Sequence, residues 1–244
     1  MLLGIIGDIH ANIDAFQETL DAMERLNVRK IFCTGDVVGY GAAPSECIRL
    51  IRENDIPCCC GNHDSYVAHK NNYRKDTIRE EANQVIDWTR SNLSSDEINW
   101  LGNLPFFIET DDFLLTHGSC QPYPQWMYVT SPNTASIHLL FQHKSLCFNG
   151  HSHIPVMASH RPGRKVSLEF LHNSTIPTGS TTMIGVGAVG QPRDDDSRAC
   201  AVLYDTDAHS VTMLRVKYDI HRAQQRIREA GLPEILAERL ALGR

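Results

Sequence analysis

The sequence predicts an α/β (α+β) fold: two mixed β-sheets packed face to face with helices outside, in one domain over residues 1–244. Three observations predict it. The first third alternates apolar runs with amphipathic stretches, a pattern that implies parallel strands joined by right-handed crossovers. From residue 146 onward, short strand-like runs dominate, separated by turn residues. Several of the apolar runs end in Asp, Asn or His, and ligands of such sheets gather beyond the carboxyl ends of the strands.

Residues 2–6 read as a buried strand. Residues 12–26 carry Ala15, Phe16, Leu20, Met23 and Leu26 at helical spacing. Residues 30–33 form the next strand and residues 44–53 the next helix, with Pro44 suited to its first turn. Residues 56–59 read as a third strand. Residues 76–90 are amphipathic through Ile78, Ala82, Val85, Ile86 and Trp88. Ser94 and Glu97 form a capping box for a short helix ending near Leu101. Residues 106–108 and 113–115 flank Asp111-Asp112 as a hairpin, and residues 134–141 read as a helix. Strands follow at 146–148, 155–160, 166–171, 183–186, 200–204 and 211–216, with a turn at Arg161-Pro162-Gly163-Arg164. Residues 220–242 return to helix, broken at Gly231-Leu232-Pro233.

With 42% hydrophobic and 21% charged residues the chain can bury a core, and its composition is not that of a disordered chain. A net charge of −6 argues against a surface built wholly for nucleic acid. Of the eight cysteines, Cys58, Cys59 and Cys60 are adjacent in an apparent strand, and Cys33 and Cys147 close apolar runs. Such placement suits free cysteines acting as small hydrophobes. The absence of a C-x-x-C pair argues against structural zinc. Met1 runs directly into a core strand with no basic leader, and no segment reaches the ~18 apolar residues of a membrane span. The expectation is a cytoplasmic protein with no membrane partner.

Five blocks carry the chemistry: Gly7-Asp8-Ile9-His10, Gly35-Asp36, Gly61-Asn62-His63-Asp64, Thr116-His117-Gly118 and Gly150-His151-Ser152-His153. Asp8 and His10 are two apart, and an extended segment points such side chains the same way. His151 and His153 repeat the spacing. Asp36 is free to bridge two ions, Asn62 offers an amide oxygen, and His117 offers another imidazole. One His at a strand end is commonly structural; the metal reading comes from repetition after successive core strands. Mixed oxygen and nitrogen donors suit Mn, Fe, Zn, Co or Ni better than calcium. Two divalent ions sharing a carboxylate point to hydrolysis of a phosphate ester or anhydride.

These blocks closely resemble the signature of calcineurin-like metallophosphoesterases, over residues 8–153 and on to Arg193. The resemblance implies a four-layer αββα sandwich. It implies one ion held by Asp8, His10, Asp36 and His153, and another held by Asp36, Asn62, His117 and His151. His63 would be the catalytic group that hydrogen-bonds the phosphate or protonates the leaving oxygen, and Asp64 would orient it. Asn62, His63 and Arg193 would contact substrate, though Arg193 could instead pair with Asp194, Asp195 or Asp196. The implied reaction is attack by a metal-bound hydroxide on a phosphodiester, phosphoanhydride or phosphomonoester of a small, nucleotide-like substrate.

Phosphoprotein phosphatases of this superfamily continue the second block into Asp-Arg-Gly. Here Tyr40 stands near that Arg, a form similar to the small bacterial and archaeal phosphodiesterase branch. A phosphoprotein phosphatase and a non-catalytic metal-binding scaffold are the alternatives. Trp88 and Trp100 suit core packing, whereas the 121–128 loop would overhang the site and offer Tyr123, Trp126 or Tyr128 to a leaving group. His69, His138, His143, His160, His172, His209 and His221 match no block and are expected to be structural or on the surface.

Overall fold

A computed structural model of the protein describes residues 1–69, 78–121 and 126–244. Its elements in chain order are β1 (Leu2–Ile6), α1 (Ile13–Arg25), β2 (Lys30–Cys33), α2 (Pro44–Glu53), α3 (Asn62–Ala68), α4 (Glu80–Asn92) and α5 (Ser95–Gly102). There follow β3 (Phe107–Glu109), β4 (Leu114–Thr116), α6 (Pro132–Phe141), β5 (Leu146–Asn149), β6 (Pro155–His160), β7 (Ser167–Phe170) and β8 (Ser174–Thr175). The chain closes with β9 (Thr181–Val186), β10 (Ala199–Asp205), β11 (Ser210–Val216), α7 (Ile220–Glu229) and α8 (Glu234–Leu242).

The strands form two mixed sheets, ordered β2-β1-β10-β11-β8 and β3-β4-β5-β9-β6-β7. The β1–β2 pair is parallel, as the strand-helix-strand pattern requires, while β10 runs antiparallel to β1. Between the sheets lies a core in which Leu3, Ile5 and Phe32 of the first meet Phe148, Ile184 and Val186 of the second. Phe16, Met23, Ile48, Ile51 and Val67 of α1 to α3 cover the outer face of the first sheet. Ala135 and Leu139 of α6 cover Val156, Ala158 and Met183 of the second. This is the αββα sandwich, with local chemistry agreeing at each end. The Asn12 side chain caps α1 by accepting from the Ala15 N–H at 3.1 Å. The Ser94–Glu97 capping box opens α5.

Two spans differ from the sequence reading. Residues 56–59 make only one bridge, Cys33 to Cys58, rather than a strand. The reason is local: Pro57 has no N–H, and the Cys60 N–H turns away to the Pro105 carbonyl. The helix expected over 76–90 begins at Glu80; residues 76 and 77 lie outside those described. All eight cysteines are free and buried.

Helices α7 and α8 fold back over the start of the chain. The buried Asp14 carboxylate of α1 receives Arg222 at 2.5 Å and Arg226 at 3.1 Å from α7. Ala223 and Ile227 of α7, Leu236 and Leu240 of α8, and Val85 of α4 form a separate apolar cluster. This packing carries the end of the chain to the rim of the site described next.

Candidate active site

Four of the predicted blocks lie at strand ends and the third in chain order opens α3 instead, with neighbouring segments stitched to one another by backbone. Asp8 N–H bonds the Gly35 carbonyl at 2.9 Å, His10 N–H the Asp36 carbonyl at 3.0 Å, and Gly190 N–H the Asp8 carbonyl at 2.9 Å. The shared orientation of Asp8 with His10, and of His151 with His153, does not come from an extended segment as the spacing suggested. Asp8, His10, Asp36, His151 and His153 all have positive φ, from 49° to 68°. A non-glycine residue held there costs on the order of 1 kcal/mol or more. The cross-loop hydrogen bonds hold this strained arrangement, which gathers donors more tightly than a pleated strand can.

The imidazoles are oriented by main chain. Nδ1 of His10 lies 3.1 Å from the Val38 carbonyl, Nδ1 of His117 3.2 Å from that of Thr34, and Nδ1 of His153 2.6 Å from that of Gln191. A carbonyl accepts only, so each Nδ1 carries a proton, and each ring points its Nε2 inward, where it offers a lone pair whenever the ring is neutral. His151 is reversed: its Nε2 bonds the Trp126 carbonyl at 2.7 Å, which leaves Nδ1 free to coordinate.

The inward atoms converge. His10 Nε2 and His153 Nε2 are 3.0 Å apart, and Asp8 Oδ1 is 3.2 Å from His153 Nε2. Asp36 Oδ2 lies 3.2 Å from His117 Nε2 and 3.7 Å from His10 Nε2, between the two groups. Asn62 Oδ1 is 3.1 Å from His117 Nε2. Two neutral imidazole lone pairs facing each other at 3.0 Å repel unless a cation or a proton lies between them. Donor sets within reach of one ion are Asp8, His10 and His153; Asp36, His117 and His151; and His10, Asp36 and His63. The residues therefore fit divalent metal, and each of the first two sets falls within one of the ligand groups implied by the resemblance, without Asp36 in the first or Asn62 in the second.

His63 and Asp64 open α3 beside this cluster. Asp64 does not orient the His63 ring, contrary to expectation. Its oxygens accept from the N–H groups of Asp36, Val37, Val38 and Gly61 at 2.8 to 3.2 Å, so it fixes the Asp36 loop. His63 Nδ1 is buried with no hydrogen-bond partner, and the ring is held by packing. Gly39, at φ +95°, backs it so closely that an added Cβ would meet Nδ1 at 2.5 Å. Gly39→Ala is therefore expected to displace the ring, destabilise the fold by about 1–3 kcal/mol and lower activity. Thermal melting and turnover measured together check this.

Tyr40 packs against both His10 and His63, at 4.6 and 4.5 Å between centroids. The Arg193 guanidinium sits 5.7 Å from the Tyr40 ring centre and donates to Gln191 Oε1 at 3.0 Å. The neighbouring acids are engaged elsewhere: Asp194 with Arg215, Asp195 with Arg244 and Asp196 with Arg198. Arg193 thus brings a guanidinium from the loop after β9 to the side of Tyr40, the second-block residue that packs on His10 and His63.

A cleft of about 530 Å³ opens onto Asn62, His63 and His151. Trp126 and Tyr128 line it, as expected for the overhanging loop; Tyr123 lies outside the described residues. Tyr128 stacks on His151 at 4.0 Å. Trp88 and Trp100 are half-buried against apolar clusters away from this cleft. Sequence reasoning missed Tyr66, Arg79, Arg239 and Arg244 on the cleft wall, and the carbonyls of Thr34, Val38, Trp126 and Gln191 that orient the imidazoles. It also missed a second soft-donor group. Cys120 Sγ lies 3.5 Å from His138 Nε2 and 3.8 Å from Cys147 Sγ, although no spacing motif links the three.

Burial sets most of the electrostatics. It lowers His63 to about 4 and His151 to about 3, and it lowers His10 and His153. Burial also raises Asp64, to about 7, with the Asp36 carboxylate pushing the same way against the four N–H donors. His117 goes up to about 9 despite burial, because Asp36 lies against it. Below the ordinary imidazole value of 6.5, the unfolded chain binds protons at His10, His63, His151 and His153 that the folded chain refuses, so stability drops as pH is lowered. Asp64 acts the other way in that window, one group against four. Above 6.5 the folded state keeps the His117 proton that the unfolded chain releases, so stability falls as pH rises toward 9. Between 6.5 and 9 the Cys120 thiol, held down to about 5 by Cys147 and His138, acts against His117, so the resolved effect is on the acid side: chelator-treated protein is expected to melt lower at about pH 5 than at about pH 7, which a pH series of melting curves reads directly.

With that geometry in place, a comparison with known proteins decides the family. The model of the calcineurin-like phosphoesterase superfamily domain matches residues 1–209. The chain belongs to that superfamily. It is a metal-dependent phosphoesterase, a hydrolase. A metallophosphoesterase from Sphaerobacter thermophilus superposes with a TM-score of 0.87 at 34% identity, covering 100% of both chains. Uncharacterized protein MJ0912 of Methanocaldococcus jannaschii is 33% identical over 100% of this chain and 98% of its own. A symmetrical bis(5'-nucleosyl)-tetraphosphatase of Actinobacillus pleuropneumoniae is 29% identical over 124 residues, 48% of this chain and 45% of its own. Among the described residues of this phosphoesterase, no helix is long and apolar enough to cross a membrane.

Proposed function

We propose that the phosphoesterase binds two divalent transition-metal ions through Asp8, His10, Asp36 and His153 on one side and Asp36, Asn62, His117 and His151 on the other. It would then hydrolyse a phosphodiester or phosphoanhydride bond of a small, nucleotide-like substrate. The observation that carries this is Asp36 Oδ2, set between two donor groups whose lone pairs face inward. Bound ions would supply Lewis acidity and lower the pKa of a coordinated water.

The chain's own groups do the rest. His63, neutral near pH 7 because burial holds it at about 4, offers a hydrogen bond to the phosphoryl or leaving oxygen at the cleft floor. Arg193, fixed by Gln191 and Tyr40, offers a guanidinium to a phosphoryl oxygen. Asp64 keeps the Asp36 loop from relaxing when charge builds at the site. The partial similarity to a tetraphosphatase favours nucleotide-like substrates, as does a cleft walled by Tyr40, Tyr66, Trp126 and Tyr128.

The test is a panel of bis-p-nitrophenyl phosphate, p-nitrophenyl phosphate, diadenosine tetraphosphate and a phosphopeptide, each with Mn, Zn, Co, Ni or Mg. Metal-dependent cleavage of the diester or the dinucleotide is expected. Turnover confined to the phosphopeptide, or unaffected by chelation, would overturn the reading.

A further inference from the structure

Arginines from the last helix reach the same cleft as His63. Arg239 of α8 and Arg244 at the end of the chain line it together with Arg193 and Arg79, and no carboxylate lines it among the described residues. Both C-terminal arginines lie beyond the 1–209 stretch matched by the family model. In a chain of net charge −6, four arginines lining one cleft give it a positive potential that favours an anion.

Their placement is built rather than incidental. Leu236, Ala237 and Leu240 anchor α8 against Val85 and α7, and Gln224 Nε2 bonds the Ala237 carbonyl at 2.8 Å. Gly243, at φ +64°, packs so tightly on Asp196 that an added Cβ would lie 2.7 Å from its backbone. The Asp195 N–H bonds the Gly243 carbonyl at 3.0 Å, which ties the chain end to the loop that carries Arg193. The Arg239 side chain has no hydrogen-bond or ion-pair partner among the described residues. Arg244 has only an exposed pair with Asp195 at 2.7 Å, with both side chains about 70% exposed, and a phosphate can compete with such a contact.

We infer that Arg239 and Arg244 form a second phosphoryl subsite, so that the preferred substrate carries a chain of at least two phosphoryl groups. This rests on the function proposed above. One phosphoryl group at the His/Asp cluster, with Arg193 beside it, leaves the guanidinium groups of Arg239 and Arg244 unmatched. A phosphoanhydride chain matches them, and guanidinium groups bind phosphoryl oxygens in bidentate fashion. The cleft volume of about 530 Å³ falls in the range that takes a ligand of nucleotide size.

The test compares kcat/KM for diadenosine tetraphosphate and bis-p-nitrophenyl phosphate in R239A, R244A and R239K, each verified as folded by its melting curve. The tetraphosphate-to-diester ratio is expected to fall roughly 10- to 100-fold in R239A, mainly through KM, with R239K recovering part of it. An unchanged ratio, or equal loss on both substrates, overturns the subsite. If the wild type cleaves neither substrate, the functional reading fails first. Calorimetry with inorganic tripolyphosphate on chelator-treated protein then tests the subsite alone. Binding that is lost in the R239A/R244A double variant supports it, whereas no binding, or equal binding in both, overturns it.

Discussion

Asp36→Asn is expected to lower the metal content, by at least one ion if the proposed pair is bound, and to lower turnover by ~10³-fold or more. The substitution keeps the shape of the side chain and an oxygen able to accept the His63 N–H, which Oδ1 now does at 2.8 Å. What disappears is the negative charge on the oxygen that faces both His10 and His117. That charge also holds the His117 imidazole up at about 9, so the variant's His117 should titrate lower in the metal-free protein. Metal per chain, measured by elemental analysis, should fall together with kcat. A variant with both ions and near-normal turnover would show that Asp36 does not bridge.

His63→Ala is expected to lose ~10²–10⁴-fold in turnover, the range for a positioned proton-handling group, while retaining metal. Metal retention is the informative half, because His63 also lies within reach of a donor set with His10 and Asp36. Loss of an ion would make it a ligand; retention with lost turnover leaves it to act on substrate. Near-normal turnover with metal content confirmed would remove both roles.

Most of the sandwich was legible because apolar runs this regular admit few pairings. The spans of β1, β2, α2 and β6 match the sequence reading residue for residue. What failed was set by groups the local pattern does not carry. Pro57 and the turned-away Cys60 N–H dissolve a strand that Cys58 and Cys59 seem to announce. At the site, residue types at strand ends were enough to name Asp8, His10, Asp36, Asn62, His117, His151 and His153 as one cluster. The means of convergence was not legible: left-handed backbone at five of them has no signature in Asp or His. Asp64 was read as the partner of its sequence neighbour because loop amides leave no mark in a sequence. Arg239 and Arg244 were invisible for another reason. They reach the cleft only through the return of α7 and α8, which packs on Val85 and pairs Asp14 with Arg222 and Arg226, more than 200 positions away.

The most direct test of the central claim is anomalous scattering from crystals grown with manganese. The account expects two peaks that share Asp36, one also ligated by Asp8, His10 and His153 and the other by Asn62, His117 and His151. A single peak, or two peaks of which either lies out of coordination range of Asp36, would contradict it.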